Sequence, residues 1–143
     1  MIYLDANYIV KCYLREAGSA QVLRLVQSST GRSSAIHGRA EFYSAVHRRL
    51  RERHLLPQDA AAVWKQFETD ERSGLWHWLA VTDNIVRRAC ITFEKLEPTV
   101  FLRSSDALHL ACAAENQFSA VYSGDQMLLK AAPFFGLEGL SVY

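Results

Sequence analysis

The chain opens MIYLDANYIV (residues 1–10), where a short apolar run, Ile2 to Leu4, ends at Asp5 and passes at once into Ala6, Asn7 and a second apolar series. A brief apolar run bounded in this way reads as a buried strand, and a carboxylate at the start of the following helix caps free backbone N–H groups. The same strand-then-helix pattern recurs along the chain. Strand candidates are IYL (2–4), SSAI (33–36), LWHWLAV (75–81), AVYS (120–123) and LSVY (140–143). Between them, helical periodicity covers Asn7 to Leu14, Ser19 to Gln27, Arg39 to Arg53, Pro57 up to Gly74, Asp83 to Glu94, Asp106 to Glu115 and Gln126 to Phe134. Alternating strands and helices imply a parallel sheet covered on both faces through right-handed crossovers. The expected architecture is a three-layer α/β/α fold with a central parallel sheet of about five strands, and residues 1–143 read as one domain.

With 143 residues, 50% hydrophobic and 22% charged, and only 7 Gly and 3 Pro, the composition excludes a disordered or fibrous chain. A formal net charge of +1 does not mark the whole molecule as a nucleic-acid binder, although local patches still can. Cys12, Cys90 and Cys112 show no C-x-x-C spacing and are expected as buried free thiols in a reducing compartment. No apolar stretch is long enough to cross a membrane, and no secretory leader is evident. A soluble, cytoplasmic protein is expected.

In such a fold each strand ends at the edge where the following helix begins. Asp5, Glu41, Asp106 and Asp125 all belong to that edge, with short polar companions in Asn7, Ser104, Ser105 and Ser123. Singly, each acid reads as a helix cap or first-turn acid, as Asp59 and Asp83 do. Together they would repel one another by several kcal/mol per close pair at an effective dielectric of about 20, a cost that a divalent cation removes. A purely oxygen donor set suits Mg²⁺ or Mn²⁺.

The segments YLDAN (3–7), GRAEFYSAV (38–46), SSDALHLACAA (104–114) and YSGDQMLLKAA (122–132) resemble, in order and spacing, those of the PIN-domain ribonucleases, and in particular the VapC toxins of bacterial toxin–antitoxin pairs. The resemblance spans essentially the whole chain. It implies metal binding and catalysis by Asp5, Glu41, Asp106 and Asp125, with Asn7 and Ser123 as polar supports; Ser123 stands where the family more often has threonine. It further implies a Mg²⁺- or Mn²⁺-dependent endoribonuclease acting by in-line water attack, a cognate antitoxin partner and a homodimer.

RNA approaching an acidic pocket needs positive charge at the rim. RAEFYSAVHRRLRERH (39–54) is the densest basic stretch, and Arg39 and Arg103 lie within three residues of a proposed ligand. Ile9, Val10, Val22, Leu25 and Val26 could form a groove for a partner helix. His109, three residues after Asp106, reads as a structural histidine rather than a shared metal ligand. Trp76 and Trp78 read as core rather than base-stacking residues. A receiver-like phosphoacceptor is disfavoured because LDAN lacks a neighbouring pair of acids. The remaining alternative, a catalytically silent RNA- or protein-binding module of the same fold, would usually have lost at least one acid.

Overall fold

The computed structural model describes residues 1–143. Five strands, β1 (Ile2–Tyr3), β2 (Arg32–Ala35), β3 (Trp76–Leu79), β4 (Ala120–Tyr122) and β5 (Glu138–Leu140), alternate with seven α-helices. The helices are α1 (Ala6–Tyr13), α2 (Ser19–Ser28), α3 (Gly38–Arg51), α4 (Pro57–Arg72), α5 (Asp83–Lys95), α6 (Ser104–Glu115) and α7 (Gln126–Ala131).

Every strand pairing is parallel: β1 with β2, β2 with β3, and β4 with β5. The expected continuous sheet of about five strands is instead a three-stranded and a two-stranded sheet. They touch through one bridge, Leu4 to Tyr122, beside the Asp5 N–H bond to Tyr122 O at 3.2 Å. The reason is local, since β1 has only two residues before the chain turns into α1 at Asp5.

Successive residues of a strand face opposite ways, and here they feed separate cores. Tyr3, Ala35, Leu79 and Val121 join a cluster with Ile85 and Ala89 of α5, Ala107 and Leu110 of α6 and Leu128 of α7. Leu4 and Trp76 join another with Ile9 of α1, Val22 of α2, Phe42 of α3 and Phe67 of α4. Both faces of the sheet are therefore covered, which makes the three layers.

Some local expectations change. β5 lies at Glu138–Leu140 rather than 140–143. The last helix breaks at Ala131 into a 3₁₀ turn, Ala132–Phe135, because Pro133 cannot supply an N–H to an α-helical ladder. Cys112 is buried and Cys12 partly so, but Cys90 is exposed on α5. Trp76 and Trp78 stack at 5.5 Å and pack with the core beside α4. Ile9, Val10, Val22 and Val26 are likewise buried in that core, with Leu25 packed against it, so most of the apolar surface expected to form a groove is spent on the core, although Val10 also lines a surface cavity. No helix is long and apolar enough to cross a membrane.

Candidate active site

The carboxyl edge of the sheet gathers all four acids. Asp5 is the N-cap of α1, its Oδ1 accepting the Tyr8 N–H at 3.1 Å. Its other oxygen, Oδ2, accepts the Ser123 hydroxyl at 2.6 Å, so capping uses only half of the carboxylate. Ser123 Oγ in turn accepts the Asp125 N–H at 2.8 Å. Asp125 caps α7, with Oδ1 accepting the N–H of Met127 at 2.8 Å and of Leu128 at 3.3 Å.

Arg103 closes the other side. Its Nε donates to Asp106 Oδ2 at 2.8 Å and its Nη2 to Asp125 Oδ2 at 3.0 Å. Asp106 sits in the first turn of α6, and the neighbouring Ser105 hydroxyl donates to Glu41 Oε1 on α3. An unbroken run of contacts and adjacent residues thus links Glu41, Ser105, Asp106, Arg103, Asp125, Ser123 and Asp5. No local spacing could have supplied it.

Glu41 is held from behind by His109. Tyr3 Oη accepts the Ala35 N–H at 3.1 Å, which leaves its own hydrogen for His109 Nδ1 at 2.9 Å. The ring proton then lies on Nε2, which donates to Glu41 Oε2 at 2.7 Å. His37, the residue before α3, reaches the Ser105 carbonyl with Nε2 at 3.2 Å and lies 3.9 Å from Glu41 Oε2. Neither histidine partnership follows from sequence periodicity.

The electrostatics separate the acids. Burial pushes the Asp5 carboxyl up to about 6, against the hydrogen bond from Ser123, because no cation pairs with it directly. Burial would also raise Glu41, but the hydrogen bonds from His109 and Ser105 hold it below the ordinary carboxylate range. His37 is lowered by burial and by the neighbouring His109. The four carboxylates offer hard oxygen donors along one edge, linked through Arg103, Ser105 and Ser123 rather than packed against one another: no three of them bring an oxygen each within 4.8 Å, and the one trio that does so with its donor atoms is His37, Glu41 and His109.

A cavity of about 370 Å³ opens beside these residues, lined by Asn7, Glu16, Glu41, Arg48, Arg49 and Arg103 among others. Of the two arginines expected at the rim, Arg103 is there. Arg39 turns instead to Glu71, with Nε 2.6 Å from Oε1, in a separate cavity with Trp78. Arg48 and Arg49 take the rim position, although Arg49 also pairs with Glu16. Asn7 lies at the same rim, its Oδ1 3.5 Å from the Tyr143 hydroxyl.

No curated protein matches this chain. Among solved structures, Mycobacterium tuberculosis VapC20, described as a sarcin-ricin loop cleaving toxin, aligns with TM-score 0.72 and 17% identity over 96% of this chain and 99% of that one. A toxin–antitoxin complex from Klebsiella pneumoniae aligns with TM-score 0.65 and 11% identity, covering 100% and 98%. VapBC2 from Rickettsia felis, bound to a DNA fragment from its promoter, aligns with TM-score 0.69 and 13% identity, covering 99% and 98%. At these identities the likeness is one of fold. The family model for the PIN domain matches residues 2–133, so the chain belongs to the PIN domain family.

Proposed function

We propose that this protein is a divalent-metal-dependent endoribonuclease toxin that hydrolyses RNA phosphodiester bonds and is restrained by a cognate antitoxin protein. The observation that carries this reading is the linked set Asp5, Glu41, Asp106 and Asp125 at the carboxyl edge of the sheet. A bound Mg²⁺ or Mn²⁺ supplies Lewis-acid activation of water and neutralises charge at the scissile phosphate.

The chain's own residues do the rest. The four carboxylates hold the cation, and Ser123 and His109 fix the directions of the Asp5 and Glu41 carboxylates. Arg48, Arg49 and Arg103 offer positive charge at the cavity mouth to the phosphates flanking the cleaved bond. Asn7 offers an amide to orient water or RNA at the same rim. The family membership and the toxin–antitoxin neighbours support an antitoxin partner; a homodimer acting in the cytoplasm is part of the same proposal.

The test is cleavage of RNA by the purified chain with Mg²⁺ or Mn²⁺ and with EDTA. Wild type should cut only with metal and leave 5′-phosphate ends, and Asp106→Asn should slow cutting at least about a hundredfold. Cleavage that resists EDTA, or that survives Asp106→Asn, would overturn the reading. The neighbouring open reading frame's product should copurify with the chain and suppress its activity.

A further inference from the structure

Behind Glu41 lies a second donor set with different chemistry. One ring nitrogen each from His37 and His109 and one Glu41 oxygen fall within 4.8 Å of one another, and the two imidazole rings are 4.3 Å apart. His109 Nε2 is 2.7 Å and His37 Nε2 3.9 Å from Glu41 Oε2. Donors bound to one tetrahedral zinc at about 2.0–2.1 Å stand roughly 3.3 Å apart, so a set that already lies within 4.8 Å closes on an ion through small side-chain shifts.

Two further observations point to a ligand. His37 Nδ1 is buried without a hydrogen-bond partner, and an ion bound at Nδ1 relieves this while Nε2 keeps its bond to the Ser105 carbonyl. Each imidazole is also held from outside the cluster, His37 by the Ser105 carbonyl and His109 by the Tyr3 hydroxyl. Such outer hydrogen bonds orient metal-bound histidines. Ligation through His109 Nε2 needs the other ring tautomer, its proton moved to Nδ1 and donated to Tyr3 Oη.

We infer that His37, Glu41 and His109 form a second cation site, of zinc class, that shares Glu41 with the acidic cluster. Two imidazoles and one carboxylate suit a borderline metal, whereas Mg²⁺ prefers oxygen alone. Zinc bound here draws Glu41 away from the four-acid set and so opposes Mg²⁺-supported cleavage. That last consequence rests on the ribonuclease reading; zinc binding itself does not.

The test titrates Zn²⁺ into the full chain by calorimetry under saturating Mg²⁺, for wild type and His37→Gln. His37 is partly exposed, and glutamine keeps a donor for the Ser105 carbonyl, so the variant should fold. The expected result is a zinc affinity at least tenfold weaker in the variant. Zinc inhibition of cleavage, scaled to each protein's own rate, should weaken in parallel. Pulsed EPR of Cu²⁺-loaded wild type, which needs no variant, should report two coordinated imidazoles. Equal zinc affinity in the two proteins, or a copper signal without imidazole, would overturn the inference. Zinc binding without any RNA cleavage would overturn the ribonuclease reading and leave this site standing.

Discussion

Ser123 donates its hydroxyl hydrogen to Asp5 at 2.6 Å, joining the ends of β4 and β1 across 118 positions of sequence. The same oxygen accepts the Asp125 N–H, so one side chain sets the relation between two of the four acids. Ser123→Ala leaves a buried carboxylate with one donor and strands the Asp125 N–H. Urea denaturation should show a loss of about 1–3 kcal/mol, and cleavage should slow. Unchanged stability together with unchanged cleavage would show that the hydroxyl does not organise these acids.

Tyr3 has a comparable place on the other side of the site, fully buried and bonded to both the Ala35 N–H and His109 Nδ1. Tyr3→Phe orphans a buried backbone donor and frees the His109 tautomer. A loss of about 1–3 kcal/mol in chemical denaturation is expected, with slower cleavage because Glu41 loses its fixed partner. A variant as stable as wild type would contradict this.

The layered fold was legible because apolar periodicity switches cleanly between strands and helices, and the acids were legible because strand ends and helix starts share an edge. What escaped depends on tertiary contacts. LSVY alternates apolar residues more convincingly than EGL, yet β5 forms at EGL, where Gly139 passes so close to α7 that a Cβ would lie 2.6 Å from Leu129 O. His37 and His109 meet only because α3 and α6 start at the same edge. The rim arginines did carry a signal: Arg48 is seven residues after Glu41 and shares its helix face, whereas Arg39, two residues before it, does not.

Arg103 supplies one positive charge to Asp106 and Asp125, in the region where a cation would bind. Because its side chain is 62% exposed, water screens much of that charge. Arg103→Gln should therefore tighten Mn²⁺ binding by RNA-free protein only about two- to fivefold in calorimetry, while weakening RNA binding. Mn²⁺ affinity reduced tenfold would show instead that the guanidinium assembles the acids.

Glu16 accepts from Lys11 Nζ at 2.8 Å and pairs with Arg49. Burial alone would raise its carboxyl, but these cations hold it below the ordinary value of 4.5. Its contribution to stability is thus present above that value and is lost as pH falls through the lower, folded one. Wild type should exceed Glu16→Gln by about 1–3 kcal/mol near pH 7, the gap closing in urea denaturation as pH falls below the ordinary value of 4.5. A gap independent of pH would contradict the pairing.

The central claim is that the edge acids form a cation site rather than a set of helix caps, and Asp5 separates these most sharply because it does cap α1. Asparagine caps about as well as aspartate. Near neutral pH in chelator, Asp5→Asn removes a buried charge that its surroundings disfavour, so the variant should melt at the same temperature as wild type or higher. With Mn²⁺ at about a hundred times its dissociation constant, wild type should gain roughly 2.7 kcal/mol from binding, and the variant much less. Thermal melts of both proteins across a Mn²⁺ titration at constant ionic strength should therefore give curves that converge or cross as metal is added. Curves that stay parallel throughout would contradict the account and return Asp5 to the role of a cap.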